Sequence, residues 1–404
     1  MKVTIKKGRA TGCVKAPPSK SMAHRYLICA ALAEGKSVIH GMSDCEDVRA
    51  TVDCLSALGV PVKIEGDTAT VEGINIKGTI PSGVLNCRES GSTIRFLIPL
   101  CLMCRKNVML SGSTKLLSRP MSVYESLSKE KGFVFLQDEG SVMVRGPLES
   151  GDYRVPGNIS SQFISGLLFS LPLADGDSTI TITPPVESRS YIELTLSSLR
   201  EFGVSAEWRD DHTLFIRGGQ HYRATETSVE GDYSGAAFYD ALNVLGSEVK
   251  VSGLCESSLQ GDRVYSRYFD MLNKGTPTIH IGDCPDLGPI LFALAAAKYG
   301  GVFTGTSRLR LKESDRAAAM ASELCKFGAS ITVHDDDVVV YPVDFHAPDE
   351  ILSGHNDHRI VMSLSVLLTL TGGTIDGAEA VAKSLPSFFD DIESLGICLT
   401  TEGG

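Results

Sequence analysis

Leu199-Arg200-Glu201-Phe202-Gly203-Val204 ends an apolar helix on glycine and passes at once into a β-rich run. The same signature returns at Leu55-Ser56-Ala57-Leu58-Gly59-Val60, Leu324-Cys325-Lys326-Phe327-Gly328-Ala329 and Ile392-Glu393-Ser394-Leu395-Gly396-Ile397. Looser versions run from Leu127 to Gly132 and from Phe269 to Gly275. A glycine after a helix supplies the left-handed residue that closes it, so one instance marks only a helix end. Together the glycines stand at 59, 132, 203, 275, 328 and 396, at intervals of 73, 71, 72, 53 and 68 residues. A period near 70 is too long for a solenoid repeat and suits a βαβαββ unit. The expectation is an α/β chain of two domains with three units in each. Residues 222–232 are polar and poor in apolar side chains, and read as a crossover. No low-complexity linker separates the halves, which predicts domains that pack or hinge around a ligand.

Composition narrows the class. A chain of 404 residues with 43% hydrophobic and 22% charged residues suits a two-domain globular protein. No run approaches the roughly 18 apolar residues of a membrane span. Met1 to Lys7 reads as a short alternating strand with no signal or transit peptide. Eleven scattered cysteines, with a lone Cys101-x-x-Cys104, fit reduced thiols in a cytoplasm better than zinc or disulfides. A net charge of −11 argues against a nucleic-acid surface. An acidic protein can still bind anions where its cations converge.

Several polar stretches open apolar helices. Pro17-Pro18-Ser19-Lys20-Ser21-Met22-Ala23-His24-Arg25 leads into a helix expected to stop at Gly35, with Ser19 or Ser21 as its cap. Its first turn, with Lys20, Ser21 and Arg25, suits a phosphate or carboxylate, although a capped helix with solvated charges fits the same residues. Ser90-Gly91-Ser92-Thr93-Ile94-Arg95 lets a ligand approach where Gly91 carries no Cβ. Arg119 precedes another helix, and Ser160-Ser161-Gln162 and Ser188-Arg189-Ser190-Tyr191 add hydroxyls and an amide. The second half differs. Asp286 stands alone after Pro285, and Lys312-Glu313-Ser314-Asp315-Arg316 places Lys312 and Arg316 four residues apart, as on a charged helix face. His355-Asn356-Asp357-His358-Arg359 opens a helix, and Lys383 follows. His355 and His358 lack further ligands for a metal. There is neither a GxxxxGK[ST] loop nor a GxGxxG fingerprint. Hydroxyl-rich cradles in one half, with acids beside cations in the other, suit two anionic substrates and general acid–base chemistry.

Pro18-Ser19-Lys20-Ser21 with Arg25, Ser90 to Arg95, Arg119-Pro120, Ser160-Ser161-Gln162, Leu311 to Arg316, Asn356 to Arg359 and Lys383-Ser384-Leu385-Pro386 resemble the EPSP synthase (3-phosphoshikimate 1-carboxyvinyltransferase) family. The likeness spans about residues 15–390 in order. It implies a two-domain inverted α/β barrel-like fold, three βαβαββ-type repeats per domain, with the active site in the interdomain cleft. One domain would be discontinuous, residues 1–13 plus 230–404, and the other would be 14–229. The family transfers the enolpyruvyl group of phosphoenolpyruvate to the 5-hydroxyl of shikimate 3-phosphate, with no metal or organic cofactor. The resemblance also implies a cytoplasmic monomer with small-molecule substrates only, no nucleic acid and no membrane.

Carried onto matching positions, Lys20, Ser21, Arg25, Ser160, Ser161, Gln162, Ser188, Tyr191, Asp286 and Lys312 would hold shikimate 3-phosphate. Lys20, Gly91, Arg119, Gln162, Arg316, Arg359 and Lys383 would hold phosphoenolpyruvate. The catalytic set would be Asp286, Glu313, Lys20, His358 and Lys383, with Glu313 as acid for the methylene carbon and Asp286 as base for the hydroxyl. Departures from the family pattern are Glu89, where asparagine is usual, Phe96, where proline is common, and Arg308, where many members carry asparagine. Gly91 rather than alanine implies inhibition by glyphosate, competitive with phosphoenolpyruvate. Two other readings remain at this stage. One is the sister transferase acting on UDP-N-acetylglucosamine, which carries Lys-Asn where this chain has Lys20-Ser21 and a loop cysteine near the arginine. The other is a non-catalytic phosphosugar-binding protein on the same scaffold.

Overall fold

The computed structural model describes residues 1–104 and 106–403. Chain contacts divide it into two units, Met1–Pro17 with Gly231 onward, and Pro18–Glu230. Each has its own apolar core.

In Pro18–Glu230, three four-stranded sheets share one build. Strand Asp152–Pro156 lies parallel to Ser178–Thr183, with the helix Ser161–Ser170 between them in sequence. Parallel neighbours need such a crossover, because a tight turn cannot join them. Thr213–Ile216 then pairs antiparallel with Ser178–Thr183, and Ala206–Trp208 forms the edge. Along Ser178–Thr183 every second residue is buried, the period expected of a sheet with one face on the core. The same order appears in Leu85–Asn86, Val108–Ser111, Ser141–Arg145 and Val134–Gln137, and again in Glu226–Ser228, Lys36–His40, Thr68–Glu72 and Val62–Glu65.

The other unit holds two complete sheets and one reduced one. Leu352–Ser353, Gly373–Asp376, Lys2–Ile5 and Leu399–Glu402 form the first, and Thr278–His280, Gly301–Thr304, Asp337–Tyr341 and Ser330–Val333 the second. In the third, Glu248–Ser252 pairs, among the described residues, only with Thr11–Lys15. Its closing hairpin is missing, and after the helix Tyr265–Leu272 the chain goes directly into Thr278–His280. That omission accounts for the short interval of 53 residues. Five of the six repeat glycines (59, 132, 203, 328 and 396) have φ between 76° and 94°, whereas Gly275 is not left-handed.

Strand pairing also fixes where the units divide. Thr11–Lys15 is in register with Glu248–Ser252, Cys13 opposite Lys250, so it stays with the C-terminal unit. The division therefore falls after Pro17, not after residue 13, and the return falls after Glu230. The stretch 222–232, read as a bare crossover, contains two short strands, Tyr222–Arg223 and Glu226–Ser228. The first draws Ala33–Glu34 into a parallel pair, so the helix from Lys20 stops at Leu32 and not at Gly35.

The helices Gly91–Met103 and Gly288–Ala297 are buried on nearly every side and carry no polar stripe. Gly91–Met103 packs on Ser161–Ser170 through Gly166, where a Cβ would lie 2.5 Å from the Arg95 carbonyl oxygen and 2.7 Å from Tyr124 Oη. No described helix is long and apolar enough to cross a membrane.

Candidate active site

In Pro18–Glu230 the predicted residues gather at helix starts. Ser19 is the N-cap of Lys20–Leu32, but its side chain makes no capping bond and its buried Oγ has no partner. Ser21 lies inside the helix, so of the two expected caps Ser19 takes the position, through its carbonyl and without a side-chain bond. Lys20 Nζ donates to Asp47 Oδ2 at 2.9 Å. Arg25 is buried, and all three guanidinium nitrogens donate to the protein: Nε to Thr195 Oγ1 (2.9 Å), Nη1 to Ser21 O (2.7 Å) and Nη2 to Tyr191 O (2.9 Å). Desolvation lowers its pKa to about 10. Arg25 thus ties its own helix to the one starting at Arg189. Next to it, His24 is buried between Lys20 and Arg25, and desolvation followed by those two charges lowers it to about 3, so the ring is neutral at pH 7. Its Nδ1 hydrogen-bonds Thr51 Oγ1, which continues through Thr93 Oγ1 to Ser90 Oγ.

Ser90 caps Gly91–Met103 by accepting from Thr93 N. A Cβ on Gly91 would lie 2.8 Å from Arg119 Nη1, so the guanidinium rests on the bare helix start. Ser160 caps the next helix through Gln162 N. Gln162 is fixed from both ends, Oε1 accepting from Arg95 Nη1 at 2.8 Å and Nε2 donating to Ser92 Oγ at 2.9 Å. Ser161 begins that helix, and Ser188 stands before Arg189–Glu201 with φ of 56°. Tyr191 is in that helix's first turn.

The other unit contains a compact charge cluster centred on Arg316, which is 1% exposed. Arg316 Nε donates to Asp357 Oδ2 (2.9 Å), Nη1 to Asp286 Oδ1 (2.7 Å) and Nη2 to Glu313 Oε2 (2.7 Å). Arg359 adds Nη2 to Asp286 Oδ2 at 3.2 Å and Nη1 to the Asp286 carbonyl at 3.1 Å. Lys312 Nζ stands 3.2 Å from Asp286 Oδ1. The helix starts only at Arg316, so Lys312 and Arg316 converge on Asp286 from a turn and do not form the expected helix face. Burial alone would raise the Asp286 carboxyl, but Arg359, Lys312 and Arg316 hold it well below the usual range. Desolvation, with Arg316 and Arg308 nearby, lowers Lys312 to about 8 despite Asp286. Arg308 is buried in the same region, Nη1 reaching Gly282 O at 3.4 Å. Asp262, buried and accepting from Ser234 Oγ, is pushed up to about 6 by desolvation and then by Asp286.

His358 is the first residue of His358–Thr371, buried, with Nδ1 3.9 Å from Asp357 Oδ1. His355 is not on that helix. It and Asn356 are left-handed, with φ of 49° and 52°, a conformation costing about 1–3 kcal/mol for each non-glycine residue. Lys383 Nζ donates to the Asn356 carbonyl at 2.6 Å. Asp47 and Asp262 are not marked by any local motif, because their partners Lys20 and Ser234 are distant in sequence.

A family model described as EPSP synthase (3-phosphoshikimate 1-carboxyvinyltransferase) matches residues 5–392. The 3-phosphoshikimate 1-carboxyvinyltransferase of Clostridium kluyveri is 38% identical, covering 98% of this chain and 97% of the relative. That of Clostridium perfringens is 39% identical over 99% and 100%. The solved EPSP synthase of Acinetobacter baumannii superposes with a TM-score of 0.79 at 24% identity, over 99% of this chain and 100% of that one, a likeness of fold.

Proposed function

The chain belongs to the EPSP synthase family, and from that premise we propose how its residues divide the work. The reaction transfers the enolpyruvyl group of phosphoenolpyruvate to the 5-hydroxyl of shikimate 3-phosphate, giving 5-enolpyruvylshikimate 3-phosphate and phosphate. Protonation of the phosphoenolpyruvate methylene makes C2 electrophilic. The 5-hydroxyl loses its proton as its oxygen bonds C2, and the tetrahedral intermediate expels phosphate and a methyl proton to restore the alkene. Glu313, which has to carry a proton once phosphoenolpyruvate is bound because its partner Arg316 favours the ionised form, is the proposed acid for the methylene, and Asp286 the base for the hydroxyl.

One observation carries this assignment: Asp286 and Glu313 are held by the same buried guanidinium, Arg316. The shared anchor fixes two carboxylates close together, as paired acid–base chemistry requires. Three cations keep Asp286 ionised and therefore able to accept a proton, although a weak base. An incoming anion that draws Arg359 and Lys312 toward itself strengthens that base as the substrates bind. Arg316 lends its charge to phosphoenolpyruvate while its nitrogens hold the acids. Arg359, Lys383 and Arg119 contact the anion's carboxylate and phosphate, with Gly91 letting it approach. Lys20, Ser21, Ser160, Ser161, Gln162, Ser188, Tyr191 and Arg25 form the shikimate 3-phosphate pocket, Arg25 by shaping it. His358 and Lys383 stabilise the departing phosphate.

The test separates the two acids. Glu313→Gln is expected to abolish exchange of solvent deuterium into the phosphoenolpyruvate methylene, and Asp286→Asn to lower kcat by about 10²–10⁴. Retained exchange in the first variant, or kcat within about tenfold in the second, contradicts the assignment.

A further inference from the structure

Glu323 takes no part in the chemistry above, yet it is 1% exposed and its carboxylate is fully engaged. It stands seven residues after Arg316 on the helix Arg316–Cys325, two turns along the same face. Oε1 accepts from His355 Nε2 at 2.8 Å, and Oε2 accepts from Ser353 N and Lys326 Nζ, both at 2.8 Å. Arg316, at the start of that helix, holds Asp357. One helix face therefore grips both ends of Ser353–Asp357, the segment containing the two left-handed residues His355 and Asn356. Non-glycine residues seldom adopt this backbone, although histidine and asparagine do so more often than most, and two in succession call for an external hold, which the Glu323 contacts supply. Lys326 ties the clamp to the Ile351 carbonyl at 3.2 Å. The turn it shapes presents the Asn356 carbonyl to Lys383 Nζ and leads directly into His358 and Arg359.

We propose that Glu323 is a positioning residue for phosphoenolpyruvate: by clamping Ser353 and His355 it imposes the left-handed turn that places Lys383, His358 and Arg359. The inference rests on the reading of Lys383 and Arg359 as phosphoenolpyruvate ligands. Burial would raise the Glu323 carboxyl, but hydrogen bonds from His355, Lys326 and the Ser353 amide hold it below the usual range, so it acts as an acceptor.

Steady-state kinetics of the full chain test the inference with Glu323→Ala, Glu323→Ala/His355→Asn and Lys383→Ala. Glu323→Ala is expected to raise KM for phosphoenolpyruvate about tenfold and leave KM for shikimate 3-phosphate within about twofold. Asparagine adopts the left-handed backbone more easily than histidine, so the double variant should recover about threefold of that loss. An unchanged KM for phosphoenolpyruvate, equal losses for both substrates, or no recovery in the double variant overturns the clamp. If Lys383→Ala leaves KM for phosphoenolpyruvate unchanged, the ligand reading falls instead. Should Glu323→Ala not fold, Glu323→Gln carries the test. It keeps size and one acceptor, and is expected to raise the same KM about threefold, with no change overturning the proposal.

Discussion

At Gly91 a single methyl group would meet Arg119 Nη1 at 2.8 Å and Cζ at 3.1 Å. The obstacle is the end of a long side chain, so in Gly91→Ala the guanidinium moves and the helix stays. The expected result is a KM for phosphoenolpyruvate raised about tenfold, an unchanged KM for shikimate 3-phosphate and weaker inhibition by glyphosate. Equal sensitivity in both proteins would show that Arg119 does not contact that anion. Lys312 yields a pH prediction. With its ammonium at about 8, it carries charge below that pH and loses it above. The profile of kcat/KM for shikimate 3-phosphate, which reports the free protein, should fall above about pH 8, and Lys312→Arg should move that limb upward by at least about one pH unit. The fall is not unfolding. Between about 8 and the ordinary lysine value the folded chain binds fewer protons than the unfolded one, so this group makes stability rise with pH there. Lys312, Glu313, Arg316 and Arg359 were visible in sequence because each sits in a short polar motif ahead of an apolar helix, and Asp286 because it is a lone acid between a proline and an apolar run. Glu323 was invisible because its buried role depends on His355 and Ser353, some 30 residues away.

At the level of elements, the six glycines disclosed the repeat, since a left-handed closing residue, found at five of them, leaves a mark in local sequence. What stayed hidden was pairing between segments far apart. Nothing in Thr11–Lys15 announces that its neighbour is Glu248–Ser252, nor in Ala33–Glu34 that Tyr222–Arg223 will end the preceding helix. Main-chain hydrogen bonds carry no residue code, and two-residue strands are too short for a period. The missing hairpin of the reduced unit, however, was already present in the interval of 53. Packing between elements gives a stability prediction. Gly166→Ala drives a methyl group into the Arg95 carbonyl and Tyr124 hydroxyl, where backbone must yield. Denaturant unfolding should show a loss of about 2 kcal/mol, in the range for overpacked cores. No measurable loss would mean that the Gly91–Met103 and Ser161–Ser170 helices are free to separate.

On the scale of the whole molecule, the acidic balance of −11 and the concentration of buried cations around Asp286 describe one strategy. Most lysines and arginines stay on the surface, and a small buried set, Arg308, Arg316, Arg359 and Lys383, is kept apart from them. The family membership sets the reaction. The most direct test is phosphate release from phosphoenolpyruvate in metal-free buffer, with shikimate 3-phosphate and, in parallel, with UDP-N-acetylglucosamine. The account predicts release with the shikimate ester alone. Release with the nucleotide sugar, or silence with both while shikimate 3-phosphate still binds, would contradict it.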